Sequence, residues 1–108
     1  MGTVSFEEFS RIEMRVGKVE SVEDHPGADK LYILRVNIGD RTIQTVAGLK
    51  PYMNREALKG RLVTVVVNLE PAMLRGVRSE GMILAAQEGE RVVLLVPDGE
   101  IGAGARIR

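Results

Sequence analysis

The feature that most constrains this chain is an alternation that loses its phase. Ile12, Met14 and Val16 alternate with Arg11, Glu13, Arg15 and Gly17, the period of two of a half-buried strand. The next apolar residues are Val19 and Val22, so the pattern slips beside Gly17. A glycine at such a slip suits a bulge or sharp bend, where one strand leaves one sheet and enters another. Long, bent first strands close small barrels. The expectation is a barrel strand over Ile12–Val22 with its bend at Gly17.

Further strand signals follow at short intervals. His25-Pro26-Gly27-Ala28-Asp29 reads as a loop turning at Pro26-Gly27. Leu31–Ile38 carries Tyr32, Leu34, Val36 and Ile38 on one face, which favours the core for Tyr32. Gly39-Asp40 is a two-residue hairpin signal, and Arg41–Ala47 is the next strand, ended by Gly48. One short helix is expected, with Asn54 as N-cap, Arg55 to Lys59 as its body and Gly60 at C′. Valine-rich Arg61–Leu69 reads as a strand buried on both faces and stopped by Pro71. Met82–Ala86 and Arg91–Val96 form a hairpin around Glu88-Gly89-Glu90, and Pro97-Asp98-Gly99 turns toward a short C-terminal strand. The order fits an all-β fold: a five-stranded Greek-key barrel of the OB-fold type, with a short helix and a C-terminal strand extension. One domain spanning residues 1–108 is expected, and Met1 and Arg108 at its ends read as a complete short chain.

Composition excludes several classes of function. With one histidine and no cysteine, metal centres built on several imidazoles or thiolates cannot form. There is no P-loop, no nucleotide-binding glycine pattern and no HExxH. His25 sits in a turn without nucleophile-elbow context and reads as a loop residue satisfying local backbone groups. No enzyme, cofactor or metal is expected. No apolar run approaches the roughly 20 residues of a membrane span, and Met1 to Ser5 lack the features of a signal peptide, so the expected compartment is cytoplasmic. Lys and Arg total 15, as do Asp and Glu, which argues against a bulk electrostatic grip on nucleic acid but leaves room for a local basic face. Aromatic residues are few: Phe6, Phe9, Tyr32 and Tyr52. A generic single-strand binder stacking bases on aromatic faces is disfavoured, and shape recognition of a folded RNA stays open.

The most informative segment is Asn68 to Met82, NLEPAMLRGVRSEGM. As a plain surface loop, its glycines make turns. As a recognition loop, Arg75 and Arg78 meet phosphate, Asn68 and Ser79 hydrogen-bond RNA, and Met82 offers an apolar platform.

Three ordered motifs carry a resemblance: Ile12-Glu13-Met14-Arg15-Val16-Gly17-Lys18-Val19, His25-Pro26-Gly27-Ala28-Asp29-Lys30-Leu31-Tyr32, and Asn68-Leu69-Glu70-Pro71 through Leu74-Arg75-Gly76-Val77 to Ser79-Glu80-Gly81-Met82 and Leu84-Ala85-Ala86. Together they resemble the tRNA-binding domain appended to methionyl-tRNA synthetases and its free-standing relatives, over about residues 6–108. The resemblance implies an OB-fold that docks tRNA by shape without chemistry of its own, as a homodimer, and raises the local tRNA concentration near an aminoacyl-tRNA synthetase. The implied RNA-facing residues are Lys30, Arg35, Asn68, Arg75, Ser79 and Met82, with Glu80 and Gly81 shaping the loop. The dimer contact is expected around Phe6 and Phe9 and in the strands beyond Val92. This chain departs from the family pattern at Gly27, where many relatives carry Asn, and at Glu70 and Met73, where basic residues are common. A weaker, more salt-sensitive binder follows. Two rival readings are a CsaA-like peptide-binding chaperone dimer and a purely dimerising subunit of a synthetase.

Overall fold

The structure, a computed structural model, describes residues 2–108. In chain order its elements are α1 (Phe6–Ser10), β1 (Met14–Asp24), β2 (Tyr32–Asn37), β3 (Thr42–Ala47), α2 (Arg55–Leu58), β4 (Leu62–Val66), β5 (Ala72–Leu74), β6 (Val77–Ser79), β7 (Met82–Ile83), β8 (Ala85–Glu88), β9 (Arg91–Leu94) and β10 (Arg106–Ile107). The main antiparallel sheet runs in the order β3-β2-β1-β4-β7, with β10 paired to the start of β1. Five of its strands form a nearly closed OB-like barrel. No helix among the described residues is long and apolar enough to cross a membrane.

β1 bends as expected, but not at Gly17. Residues 14–18 pair with β4 in an unbroken register, and the ladder to β2 shifts between Val19 and Ser21. The bulge is therefore at Glu20. Gly17 answers a different need. A Cβ there would stand 2.5 Å from Val36 Cγ1 and 3.0 Å from Val65 Cγ2, so only glycine lets β2 and β4 close over this point. The phase slip in the sequence marks the bulge, whereas the nearby glycine marks the tightest crossing.

The barrel interior is filled by inward rows that include Val19, Leu34, Val36, Ile38, Val63 and Val65, none of them exposed. α2 is too short to be stable alone. Asn54 caps it by accepting from Ala57 N–H at 2.8 Å, Gly60 follows at φ +84°, and Leu58 enters the core fully buried. Tyr32 is also core, its hydroxyl donating to Met53 C=O at 2.9 Å, as a buried phenol requires.

Two parts differ from the sequence expectation. Met82–Ala86 is divided: Met82 and Ile83 pair with β4, while Ala85 to Glu88 pair with β9 in a separate hairpin. The segment around Phe6 and Phe9 is a helix, closed by a capping box in which Ser5 Oγ accepts from Glu8 N–H and Glu8 Oε1 accepts from Ser5 N–H. Ser-x-x-Glu was visible in the sequence as that signal. Phe6 is 82% exposed and Phe9 42%, so neither belongs to the core of this chain.

Candidate nucleic-acid interface

The segment expected as an irregular recognition loop is a hairpin. β5 and β6 pair Ala72 with Ser79, Met73 with Arg78 and Leu74 with Val77. The two turn residues have positive φ, Arg75 at 52° and Gly76 at 85°, the pattern of a type I′ turn that matches strand twist. Arg75 is the only non-glycine among the described residues with positive φ. That conformation costs a side-chain-bearing residue about 1–2 kcal/mol. Asn or Gly would occupy it more cheaply, so arginine here answers to something other than the turn.

The hairpin is docked on the loop between β1 and β2. His25 is buried, and its Nδ1 accepts from Gly27 N–H at 2.9 Å. Nε2 is thereby left to donate, and it meets Leu74 C=O at 3.0 Å. Arg75 Nη2 reaches Gly27 C=O at 3.3 Å. His25 thus serves local backbone, as read from sequence, and in addition ties together two loops 49 residues apart. Lys30 stands in the same β1–β2 loop, and Arg35 projects from the outer face of β2 opposite Gln44 of β3.

The other end of the hairpin completes the barrel. Ser79 Oγ accepts from Val46 N–H at 3.0 Å and donates to Gly81 C=O at 3.1 Å. Glu80 N–H donates to Gln44 C=O at 2.8 Å, and Glu80 Oε1 accepts from Gln44 N–H at 2.9 Å. Gln44 Nε2 donates to Arg78 C=O at 2.8 Å. These bonds do for β3 what a further strand would. Gly81 permits the passage, because a Cβ there would lie 2.8 Å from Ile43 Cδ1 and 2.9 Å from Val66 O.

The six sequence candidates accordingly separate. Lys30, Arg35, Arg75 and Met82 are exposed. Ser79 is buried, and its hydroxyl bonds to backbone on both sides, where it helps close the barrel. Asn68 Oδ1 accepts from Glu13 N–H at 2.8 Å and its amide nitrogen donates to Arg11 C=O at 2.6 Å, a clamp that holds the N-terminal segment on the barrel. Both were chosen for hydrogen-bonding side chains, and in each the hydrogen bonds are spent on backbone.

Four of the cations are ion-paired. Arg15 pairs with Glu13 at 2.7 Å and Asp40 at 3.0 Å, and its guanidinium pKa is raised, chiefly by the hydrogen bond it donates to Glu13. Arg41 pairs with Asp40 and Lys50 with Asp24. Arg78 approaches Glu80 only at 4.0 Å. Lys30, Arg35 and Arg75 make no ion pair among the described residues, and neither do Arg11, Lys18, Arg55, Lys59, Arg61, Arg91, Arg106 and Arg108, so what sets the three apart is their place by the β1–β2 loop, β2 and the hairpin. A groove of about 380 Å³ lies between the end of β3 and the β4–β5 connection, lined by Leu69, Leu74 and Met82 and by Glu70. The sequence reading missed this groove, because its walls come from three separate segments. No three His, Asp or Glu side chains cluster as a metal site among the described residues.

The profile of the family described as "Putative tRNA binding domain" matches residues 14–106. A methionine–tRNA ligase of Thermococcus kodakarensis is 56% identical over 108 residues, all of this chain and 15% of that protein. The chain thus spans about 15% of the length of the synthetase relatives it matches. Among solved structures, a MetRS related protein from Pyrococcus horikoshii superposes with a TM-score of 0.93 at 32% identity, covering 100% of both chains. The chaperone CsaA of Bacillus anthracis superposes with a TM-score of 0.89 at 30% identity, covering 99% of this chain and 100% of that one.

Proposed function

This chain belongs to the tRNA-binding domain family, and from that premise we propose that it is a non-catalytic module that docks the folded body of tRNA. It works in the cytoplasm as a homodimer, as an appended domain or separate subunit of a methionyl-tRNA synthetase. Lys30, Arg35 and Arg75 contact phosphate, where released counterions supply affinity, and Met82 offers an apolar surface to a base. The observation that carries this reading is the joining of the β1–β2 loop to the β5–β6 hairpin through His25 and Arg75. It gathers unpaired cations along the strand face and loops that OB-folds use for nucleic acid. The strained φ of Arg75 adds weight, since the turn alone would favour another residue.

The homodimer reading is supported by apolar side chains left uncovered at the opposite end. Phe6, Phe9, Ile12 and Ile107 line one depression beside β10. A second copy would cover them, and monomers rarely leave such patches bare.

The test is a gel-shift titration of the chain with total tRNA, an isolated hairpin and single-stranded RNA at several salt concentrations. tRNA should bind tightest, with steep salt dependence. The likeness to CsaA supports a second reading, a peptide-binding dimer. Binding of unfolded peptide without tRNA at low salt would put that reading in its place.

A further inference from the structure

Glu70 is out of character with a face that binds a polyanion. It is exposed, makes no ion pair among the described residues, and lines the apolar groove. A carboxylate there repels phosphate, so the groove cannot be one more phosphate subsite. Yet one wall of the groove contains Leu74, the residue before Arg75, so a nucleotide whose phosphate meets Arg75 holds its base within reach of the groove. Leu69, Leu74 and Met82, between 37% and 47% exposed, form apolar walls of the kind a flat ring seeks. The volume of about 380 Å³ lies at the lower end of small-ligand clefts.

Resting on the tRNA-docking reading above, we infer that this groove is a base pocket that takes an unpaired guanine of the docked RNA, with Glu70 as its specificity-determining residue. The argument is one of donors and acceptors. An ionised carboxylate only accepts, through two oxygens side by side. Guanine presents two adjacent donors on its Watson–Crick edge, N1–H and N2–H. Adenine and cytosine each set one amino donor beside a ring-nitrogen acceptor, and uracil flanks its single donor with carbonyl oxygens. Only guanine matches both carboxylate oxygens without placing an acceptor against them. A hydrogen bond to an ionised carboxylate is also stronger than one between neutral groups. The acidic residue that weakens backbone contact thus supplies selectivity.

The experiment uses the 108-residue chain, with ¹H–¹⁵N NMR titrations of guanosine, inosine and adenosine 5′-monophosphates, and parallel tRNA binding across salt. Inosine differs from guanosine only by the missing N2 amino group. The guanosine nucleotide should shift the amides of Gly48, Glu70 and Gly81 and bind about fivefold or more tighter than the adenosine nucleotide, with inosine between them. In Glu70→Ala the three nucleotides should bind alike, and in Glu70→Gln, whose amide sets one acceptor beside one donor, the preference for guanosine over adenosine should be lost, while the salt slope for tRNA stays as in the parent. Equal affinity for guanosine and adenosine in the parent overturns the inference. So does a guanosine preference that survives both variants, or an absence of shifts up to about 10 mM nucleotide. Displacement by a basic, apolar peptide with no nucleotide effect assigns the groove to peptide instead. A parent that binds tRNA but ignores guanine loses only this pocket. A parent that binds no tRNA loses the docking reading and the pocket with it.

Discussion

The two ends of β1 lead into regions of opposite character. Past Asp24, the β1–β2 loop and the β5–β6 hairpin have their backbone tied down by His25, Arg75 and Ser79, while Lys30 and Arg35 are left without acidic partners. At the Met14 end, the cation Arg15 is held between Glu13 and Asp40, while Phe6, Phe9 and Ile12 are left without apolar cover. Unspent charge on a rigid frame suits a polyanion, because the phosphates replace water around side chains that have no competing ion pair. Unspent apolar surface suits a protein partner, even with Arg106 and Arg108 at its edge. One small barrel thus carries two surfaces of different chemistry, each suited to a different kind of partner.

The sharpest way to break that division is at the apolar end. A Phe6→Asp/Phe9→Asp double variant should weaken self-association about 100-fold or more, read by sedimentation equilibrium, because buried aromatic anchors dominate interfaces. The salt slope for a small RNA hairpin should not change. If that slope falls as well, the two ends are not separate surfaces.

Next in size is Ser79→Ala. It leaves Val46 N–H buried without its acceptor, and the unfolding free energy by urea denaturation should drop by about 2 kcal/mol. RNA affinity measured on the folded fraction should change little. Loss of affinity without loss of stability would return Ser79 to the RNA surface.

Arg75→Asn sharpens the comparison from the charged side. Asn suits the left-handed turn position, so thermal unfolding should show a gain of about 1 kcal/mol. Affinity for all tRNAs should fall by about 1.5 kcal/mol, with the salt slope flattened by about one unit. A variant that is both more stable and equally tight would show that Arg75 has no part in binding.

The smallest effect is expected at Arg15→Met, since that guanidinium is already engaged by Glu13 and Asp40. Fluorescence titration with tRNA should match the parent. An effect as large as that of Arg75→Asn would mean that ion pairing does not separate the two ends.

Local patterning was enough for most of the barrel. The alternations of β2 and β3, the Gly39-Asp40 turn and the Asn54 and Gly60 caps are properties of neighbouring residues, and each stands where its pattern indicates. The exposed cations Lys30, Arg35 and Arg75 were legible for the same reason, as was Met82: a charge in a loop, or a side chain on the outward phase of a strand, needs no distant partner to be exposed. Chain closure decided the rest. Ser79 and Asn68 carry atoms equally able to bind RNA or backbone, and the partners that claimed them, Val46 and Glu13, lie 33 and 55 residues away. The displacement of the bend from Gly17 to Glu20 depends on where β2 and β4 cross β1, and the Glu70 groove exists only because β3, the β4–β5 connection and β7 converge. A hydrogen-bonding side chain takes the partner that folding brings within about 3 Å, and one-dimensional spacing carries no record of that distance.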